Sequence, residues 1–319
     1  MIGTDLYHAS NLLQQGKLVA IPTETVYGLA ANAFDVVAVA QIFAVKNRPT
    51  FDPLIVHVAD FEQLTSLVLE MPPFAQHLFE VFMPGPITLL LPKSDRIPDL
   101  VTAGSPLVAL RMPSHPMAQK LLRLLDFPLA APSANPFGYI SPTTAQHVAA
   151  QLGDKIPYIL DGGPCQVGLE STIVGFEAGG QAIIYRKGGI AIEAIEAHIG
   201  PVQVKPHSTS NPQAPGMLKS HYAPRIPLVL GRLDELLPQY RHWRVGIIHF
   251  QKTFPDVPME CQVALSPTGN FQEAARNLFT GIRYLDNLAL DIILAEPLPE
   301  QDLGRAINDR LRRAAATDQ

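Results

Sequence analysis

Short apolar runs alternate with amphipathic segments through the first 200 residues of the chain. Residues 53–58 (PLIVHV) form an almost continuous apolar run, which is typical of a strand buried on both faces. Further strand-like runs cover 17–22, 86–92, 106–112, 127–131, 157–160, 172–176 and 182–186. Helical patterns cover 35–46, 60–69, 73–83, 115–125, 142–152 and 190–198. Because several strands follow each other too closely for helical crossovers, the pattern predicts an α/β domain with a twisted, mixed sheet.

The pattern changes between Pro201 and Arg225. This stretch contains five prolines and shows neither helical nor strand periodicity. A linker of this length inside a compact protein is usually functional, and its second half carries Met217, Lys219, His221 and Tyr222, which an inert spacer does not need. Beyond it we expect a smaller α/β domain, with strands at 227–230, 244–249 and 290–294 and helices near 231–238, 270–285 and 303–315. The chain is therefore divided into residues 1–200, the linker 201–225 and residues 226–319.

Composition agrees with two globular domains. The chain has 319 residues, and its 47% hydrophobic fraction is enough for well-buried cores. No stretch of about 18 apolar residues predicts a membrane span, and the first ten residues do not resemble a secretory signal. Cys165 and Cys261 are far apart and form no CxxC motif. We therefore expect a reduced, cytoplasmic protein without a structural zinc site.

Charge is distributed unevenly between the two halves. Residues 1–200 carry 11 Lys and Arg against 17 Asp and Glu, so this half lacks the basic surplus of a dedicated nucleic-acid binder. Against this acidic background, four cations stand inside or beside strand-like segments: Lys46, Arg48, Arg111 and Arg186.

Each of these groups has a structural interpretation as well as a functional one. Lys46 and Arg48 follow a helix, where they either complement its dipole or clamp a phosphate. His57 interrupts an apolar strand and is either a hydrogen-bonded core residue or part of a site beside the cationic turn. Arg111 and Arg186 each end a strand, where an arginine either reaches water or captures an anion in a cleft.

Hydroxyl groups accumulate in the same domain. Ser133 follows a strand, and Ser141-Pro142 predicts a helix start, with Ser141 as N-cap and Pro142 at the first helical position. Such a helix start also offers free N–H groups to phosphate. The glycine-rich turn before Ser171 and Thr172 places two more hydroxyls at a strand mouth.

The usual nucleotide-binding and hydrolase motifs are absent. The chain has no GxxxxGK[ST], GxGxxG, HExxH or GxSxG sequence. Cations and hydroxyls recur at strand ends, but no catalytic nucleophile paired with a general base is found among them. This combination favours electrostatic capture of phosphates and a small polar substrate over a Ser or Cys hydrolase.

Seven motifs, in this order, carry a resemblance to a known family: PTETVYGLA, KNRPTFDPLIVHV, PGPITLLL, VALRMP, APSANPFGYISPTTA, GLESTIVGF and APGMLKSHYAP. Together they resemble the long form of threonylcarbamoyl-AMP synthase. The motifs cover about residues 5–225, and beyond them the resemblance rests on length and position. It implies a twisted mixed-sheet YrdC-like domain followed by a smaller, three-layer Rossmann-like α/β domain.

The resemblance implies a nucleotidyltransferase activity, L-threonylcarbamoyladenylate synthase. Its substrates are L-threonine, bicarbonate and ATP with Mg2+, and pyrophosphate is released. A downstream tRNA threonylcarbamoyl transferase complex then modifies the adenosine next to the anticodon. The expected partners are thus the three small substrates and that complex, with at most a weak contact to tRNA and none to a membrane.

The resemblance also implies roles for particular residues, carried over by motif. The threonine side would be formed by Thr25, His57, Arg111, Ala131 and Ser171. The ATP side would be formed by Lys46, Arg48, Asp52, Ser133, Asn135, Ser141 and Arg186, with Tyr222 of the linker closing over the nucleotide. Lys46 and Arg48 would be catalytic by offsetting phosphate charge, and no metal ligands are identified.

Asp52 departs from the family pattern, which commonly has Asn before Pro-Leu-Ile-Val-His. An amide can donate to a phosphate, whereas an ionised carboxylate repels it unless a cation intervenes.

Two other functions stay open at this point. A non-catalytic module that binds tRNA or double-stranded RNA is one alternative, although the negative charge of residues 1–200 argues against tight RNA binding. A carbamoyl transferase of metallocentre maturation is the other, but that class needs zinc-finger and acylphosphatase-like modules that this sequence does not show.

Overall fold

The computed structural model describes residues 1–177, 179–205 and 221–316, and within them the chain forms two sheets with helices around both. The strands are β1 (Ile2–Gly3), β2 (Val19–Ile21), β3 (Gly28–Asn32), β4 (Ile55–His57), β5 (Ile87–Pro92), β6 (Leu107–Arg111), β7 (Leu129–Ala130), β8 (Tyr158–Leu160), β9 (Thr172–Phe176), β10 (Ala182–Arg186), β11 (Gln203–Val204), β12 (Leu228–Leu230), β13 (Val245–His249), β14 (Gln262–Ala264) and β15 (Ile292–Ala295). The helices are α1 (Leu6–Gln14), α2 (Val36–Lys46), α3 (Phe61–Thr65), α4 (Pro73–Phe82), α5 (Asp99–Thr102), α6 (Pro116–Arg123), α7 (Ala145–Leu152), α8 (Ile192–Ile199), α9 (Leu233–Leu236), α10 (Phe271–Asp286) and α11 (Gly304–Ala314).

The large sheet is mixed, as the pattern of short runs predicts. Its strand order is β1-β8-β2-β3-β7-β4-β6-β5-β9-β10-β11, with β4 and β6 parallel and β2 and β3 antiparallel. Helices cover both faces of this sheet. Alternate residues of a strand point to opposite faces, and in β2 both sets are buried. In β2, Val19 and Ile21 pack in a cluster with Leu121 of α6, whereas Ala20 packs in another with Ile42 of α2.

The small sheet is parallel and has a helical layer on each side. Its order is β12-β15-β13-β14, and all three of its strand pairs are parallel. Ile248 packs with Leu278 of α10 on one face, and Ile247 packs with Leu233 of α9 on the other. The predicted smaller, three-layer α/β domain is thereby confirmed.

Helix caps place two of the candidate cations. Asp35 accepts hydrogen bonds from the backbone N–H groups of Val37 and Ala38, which starts α2. The helix ends at Asn47, whose left-handed φ of 51° turns the chain away. Lys46 therefore occupies the last turn of α2, and Arg48 lies directly after the cap.

The predicted helix start at Ser141 is wrong. Helix α7 begins three residues beyond Pro142, and its N-cap is Thr144, whose extended backbone lets its hydroxyl accept from His147 N–H. The Ser141 hydroxyl is used elsewhere, because it donates to Glu170 at 2.6 Å.

The first residues of the predicted linker continue the large sheet. Gln203 and Val204 form β11, which pairs in parallel with Ile183 and Ile184 of β10. This two-residue strand is too short to show periodicity in the sequence. Residues 206–220, which include Met217 and Lys219, lie outside the described residues.

None of the helices in the described part of the chain is both long and apolar enough to cross a membrane.

Candidate active site

A buried cavity lies at the carboxyl ends of the central strands. His57 of β4 and Arg111 of β6 are register partners on adjacent parallel strands, so both side chains point to the same face of the sheet. The cavity has a volume of about 50 Å³. Nine of the thirteen predicted site residues line it: Thr25, Arg48, His57, Arg111, Ala131, Ser133, Ser171, Arg186 and Tyr222.

Arg111 is held in one orientation by three contacts. Its Nη1 donates to Thr25 Oγ1 at 2.8 Å, its Nε donates to the Gly85 carbonyl at 3.3 Å, and its Nη2 lies 2.7 Å from Glu24 Oε1. Glu24, which was not among the predicted site residues, thus orients the guanidinium of a residue predicted for the threonine side. A fork fixed in advance needs no reorganisation when a planar anion arrives.

His57 is neutral in this setting. Its side chain is buried, and its Nδ1 has no hydrogen-bond partner among the described residues. Burial, with a further contribution from the charge of Arg111, lowers the pKa of His57 to about 3. An imidazole with so low a pKa is a weak base near neutral pH, so its geometry favours contact with a bound ligand over proton removal.

Ser171 connects the two sides of the cavity. Its Oγ lies 2.7 Å from Thr88 Oγ1 and accepts from Arg186 Nη2 at 3.0 Å, while the Ser171 carbonyl accepts from Arg186 Nε at 3.1 Å. Burial lowers the pKa of Arg186 to about 10, so the guanidinium stays charged at neutral pH. Ser171, predicted for the threonine side, thereby orients Arg186, predicted for the ATP side.

Arg48 is clamped by the turn that follows it. Its Nη2 lies 2.9 Å from Asp52 Oδ2 and donates to the Pro53 carbonyl at 2.7 Å, and its Nε donates to the Asp52 carbonyl at 3.1 Å. Asp52 is fully buried and does not line the cavity. Burial raises the pKa of Asp52, and the charge of Arg48 opposes that shift. The Asp52 carboxylate therefore forms an ion pair with Arg48 and does not reach the cavity.

Lys46, Asn135 and Ser141 also lie one contact behind the cavity wall. Lys46 Nζ donates to the carbonyls of Ser133, at 2.5 Å, and of Asn135. Asn135 Nδ2 in turn donates to two carbonyls of its own loop, and Ser141 reaches Glu170. Burial, and then the charge of Arg48, lowers the pKa of Lys46 well below its usual value. These side chains shape the loop that presents Ser133.

His221 and Tyr222 bring the end of the predicted linker into the lining of the cavity. Both line it and both are buried, with ring centroids 4.3 Å apart. Sites that hold a drug-sized ligand typically have volumes of about 300–1,000 Å³, so a cavity of about 50 Å³ holds water and little more. A ligand of nucleotide size therefore needs more space than this cavity offers. Tyr222 was expected here, but neither His221 nor Glu170 of the lining was.

The cavity offers no preformed metal centre. Over the described ranges, no group of three or more His, Cys, Asp or Glu side chains could hold a metal ion. The two buried carboxylates near the cationic side, Asp52 and Glu170, are both engaged with arginines. These residues do not fit a resident metal, so a divalent cation would have to be held by phosphates and water.

Comparison with known proteins places the chain beside enzymes of one family. A Sua5/YciO/YrdC family model, described as telomere recombination, matches residues 11–188, and one described as threonylcarbamoyl-AMP synthase, C-terminal domain, matches residues 190–316. The threonylcarbamoyl-AMP synthase of Pyrococcus abyssi is 42% identical, over 96% of this chain and 93% of that protein. The threonylcarbamoyl-AMP synthase of Bacillus subtilis is 42% identical, over 96% of this chain and 92% of that protein.

The fold agrees with these matches. The crystal structure of P. abyssi Sua5 complexed with L-threonine superposes with a TM-score of 0.91 at 41% identity, and the match covers 97% of this chain and 94% of that one. Because two family models together span most of the chain and these relatives match nearly all of it, this chain belongs to the long-form threonylcarbamoyl-AMP synthase family.

Proposed function

We propose that this chain is an L-threonylcarbamoyladenylate synthase, which forms threonylcarbamoyl-AMP and pyrophosphate from L-threonine, bicarbonate and ATP. The observation that carries the proposal is the convergence of Arg111 and His57 with Arg48 and Arg186 around one buried cavity. The similar P. abyssi structure, described as a complex with L-threonine, supports the same amino-acid substrate here.

Threonine would bind between β4 and β6. Arg111 would receive the carboxylate, in the orientation that Glu24 and Thr25 already hold. Thr25 and Ser171 would contact the amine or the hydroxyl, with Ala131 packing beside them. His57 would position the amino acid as a neutral imidazole, because its pKa of about 3 makes it a poor proton acceptor.

The triphosphate would lie on the opposite side of the cavity. Arg48, Arg186 and Ser133 line the cavity, and Lys46, Asn135 and Ser141 support its wall from behind. In phosphoryl-type transfers the protein contributes mainly positioning and charge stabilisation. Asp52 would act through Arg48 and not through ATP, since its carboxylate faces that guanidinium at 2.9 Å. Mg2+ would arrive with ATP, held by phosphate oxygens and water.

The reaction has two bond-forming steps. The neutral amine of threonine adds to the carbon of bicarbonate or of the carbon dioxide derived from it, and water or a proton is lost as the carbamate forms. A carbamate oxygen then attacks the α-phosphorus of ATP. The bond to the oxygen that bridges the α- and β-phosphorus breaks, and pyrophosphate leaves with the electron pair. Cations placed beforehand around the phosphates lower the cost of this step.

In this proposal the chain has three functional parts. Residues 1–200 form the catalytic domain, and residues 226–319 form the C-terminal domain. The linker 201–225 begins with β11, which extends the catalytic sheet, and its later part, which includes His221 and Tyr222, acts as a lid. The presence of His221 and Tyr222 in the lining of the cavity supports the lid. Water must be excluded because both the carbamate and the mixed anhydride hydrolyse. The same lability implies prompt consumption by the enzyme that transfers the threonylcarbamoyl group to tRNA.

The direct test is pyrophosphate release by the purified protein. We expect release with ATP, L-threonine and bicarbonate together, and background release when either threonine or bicarbonate is omitted. Arg111→Ala should raise KM for threonine, and Arg48→Ala should raise KM for ATP, each by about tenfold or more, since each removes a charge-assisted contact. Affinity for tRNA without pyrophosphate release would contradict the enzyme and favour the RNA-binding module.

The lid has a separate test. Tyr222→Ala opens the cavity to water, so we expect fewer molecules of threonylcarbamoyl-AMP per molecule of pyrophosphate released. Tyr240→Ala, a change of the same type at a partly buried position in the small domain, is the control and should keep the wild-type ratio. An unchanged ratio in Tyr222→Ala would contradict the lid.

A further inference from the structure

One arginine of the C-terminal domain extends into the wall of the catalytic cavity. Arg310 lies on α11 and is fully buried. Its Nε donates to Glu170 Oε2 at 2.9 Å, although the two residues are 140 positions apart in the chain. Glu170 lines the cavity, directly before Ser171. Arg310 of the C-terminal domain therefore contacts a residue that lines the cavity in which the substrates are proposed to bind.

The surroundings of Arg310 fix its position. Its Nη1 donates to Asp309 Oδ2 at 2.8 Å, and its guanidinium carbon lies 5.3 Å from the ring centroid of Tyr222. Asp309 is itself close to Arg313, at 3.8 Å, and the guanidinium of Arg313 lies 4.8 Å from the same tyrosine ring. A buried guanidinium with these contacts has little freedom to turn.

Glu170 is the charge that needs this partner. It accepts from Ser141 Oγ at 2.6 Å, and the charge of Arg186 acts on it as well. Burial alone raises the pKa of Glu170, but Arg310, Arg186 and Ser141 together bring it below its usual value, so the group is an anion at neutral pH. An unpaired anion in this wall would repel a triphosphate at close range in a medium of low dielectric constant.

We propose that Arg310 is a positioning residue for the reaction: it neutralises and orients Glu170, so that the cavity accepts the triphosphate of ATP. The inference rests on the proposed function, because it presupposes ATP in this cavity. It assigns the C-terminal domain a role in nucleotide binding through Arg310. The same ion pair keeps Ser141 hydrogen-bonded and supports one side of Tyr222.

Steady-state kinetics of four proteins test the role of Arg310: the wild type, Arg310→Gln, Arg310→Gln with Glu170→Gln, and Arg312→Gln. Arg310→Gln removes the one cation that forms an ion pair with Glu170 among the described residues, so KM for ATP should rise about tenfold while KM for threonine changes less than about threefold. The double variant removes the repelling charge and should recover most of the ATP affinity. Arg312→Gln is the matched control, because Arg312 lies on the same helix, is half exposed and pairs with Glu300; its KM values should stay within about twofold of wild type.

A purely structural role predicts a different pattern. KM for both substrates would then rise together, and Glu170→Gln would add a second defect to Arg310→Gln in place of a recovery; either outcome overturns the proposal. If Arg310→Gln does not fold, Arg310→Lys replaces it. Lysine keeps the charge but cannot contact Glu170 and Asp309 together as the arginine fork does. KM for ATP should therefore rise by about threefold, and a rise of tenfold or more would overturn charge neutralisation.

Failure of the proposed function would be visible separately. In that case the wild-type protein would show no pyrophosphate release that depends on threonine and bicarbonate. Calorimetric titration of the same four proteins with ATP alone measures nucleotide affinity without turnover. Loss of affinity in Arg310→Gln, with recovery in the double variant, is the expected result there too.

Discussion

Charged side chains around the cavity are arranged in buried pairs. Arg48 pairs with Asp52, Arg111 with Glu24, and Arg310 with Glu170. Removing one member of a buried pair leaves an uncompensated charge, which typically costs about 3–5 kcal/mol. The carboxylates therefore hold the arginine forks ready for an anionic ligand, at the expense of part of the positive charge that would attract it.

Asp52→Asn separates the two roles considered for Asp52. The variant keeps an oxygen next to Arg48 but leaves the charge of Arg48 uncompensated, so the free energy of unfolding should fall by about 3 kcal/mol, the lower end of the range for a broken buried pair. KM for ATP should stay constant or fall, because the site gains one net positive charge. Urea denaturation and pyrophosphate kinetics measure the two quantities. Asp95→Asn, the same change at an exposed position, is the control. A tenfold rise in KM for ATP would instead mean that Asp52 contacts the nucleotide.

His57 should make stability depend on pH. Its pKa is lowered from 6.5 to about 3 by burial and by Arg111, so the unfolded chain binds the proton more tightly. Its contribution is complete above pH 6.5 and is lost as the pH falls from there towards 3. His57→Gln should therefore lose about 2 kcal/mol less stability than wild type between pH 7.5 and 5.0. Denaturant unfolding at both pH values is the measurement, with the exposed His242→Gln as control. Equal losses in wild type and His57→Gln would refute the shift.

The cations and hydroxyls of the cavity are predictable from the sequence, but the carboxylates that pair with the cations are not. Arg111 and Arg186 stand out because a charge at the end of an apolar strand is unusual. Glu24 and Glu170 do not, because a carboxylate beside polar residues has the same pattern as a solvated loop. Their partners lie far away in the chain, and Glu170 meets Arg310 over 140 positions. Local spacing carries no information about such pairs, so only the folded structure reveals them.

At the scale of elements, apolar strands were predictable and small-residue strands were not. The run at 53–58 predicted β4 because its side chains are large and apolar. Strand β3, with the sequence GLAAN, is almost entirely buried but escaped prediction, since glycine and alanine contribute little to a hydrophobic pattern. Helix α7 shows a different limit. Ser141 and Thr144 are both good N-caps, and tertiary contact with Glu170 decided between them.

Gly168 marks the point where the turn before β9 touches helix α10. Its φ is +77°, and a Cβ there would lie 2.4 Å from Arg276 Cα and 2.8 Å from the Ala275 carbonyl. Gly168→Ala therefore combines left-handed strain with a backbone clash, and we expect a loss of about 2–4 kcal/mol in the free energy of unfolding. Gly104→Ala is the matched control, because its φ is +76° and nothing lies within 4 Å of the added methyl group. The free energy of unfolding of Gly104→Ala should fall by about 1–2 kcal/mol, because only the left-handed strain contributes. Equal losses would show that the turn adapts to α10.

At the scale of the whole molecule, the two sheets share part of one core. Val26, Ile140, Leu169 and Tyr222 pack in the same apolar cluster as Phe279 of α10. The order of predicted elements indicated two α/β units, and the structure contains both sheets. The sequence pattern did not indicate that the two units share a core. Contacts between residues more than a hundred positions apart produce no periodic pattern of hydrophobic residues. The C-terminal domain is thus structurally continuous with the wall of the cavity.

A shared core predicts cooperative unfolding of the two domains. The chain has a single tryptophan, Trp243, in the small domain and half exposed, so its fluorescence reports on that domain alone. Far-UV circular dichroism reports on the whole chain. In a urea titration the two signals should give midpoints that agree within about 0.2 M, as expected for one transition. Gly168→Ala and Arg310→Gln, which weaken the contact between the domains, should move the fluorescence midpoint below the circular dichroism midpoint. If the wild type already shows two separated transitions, the shared cluster contributes little free energy, and the C-terminal domain folds independently of the cavity it borders.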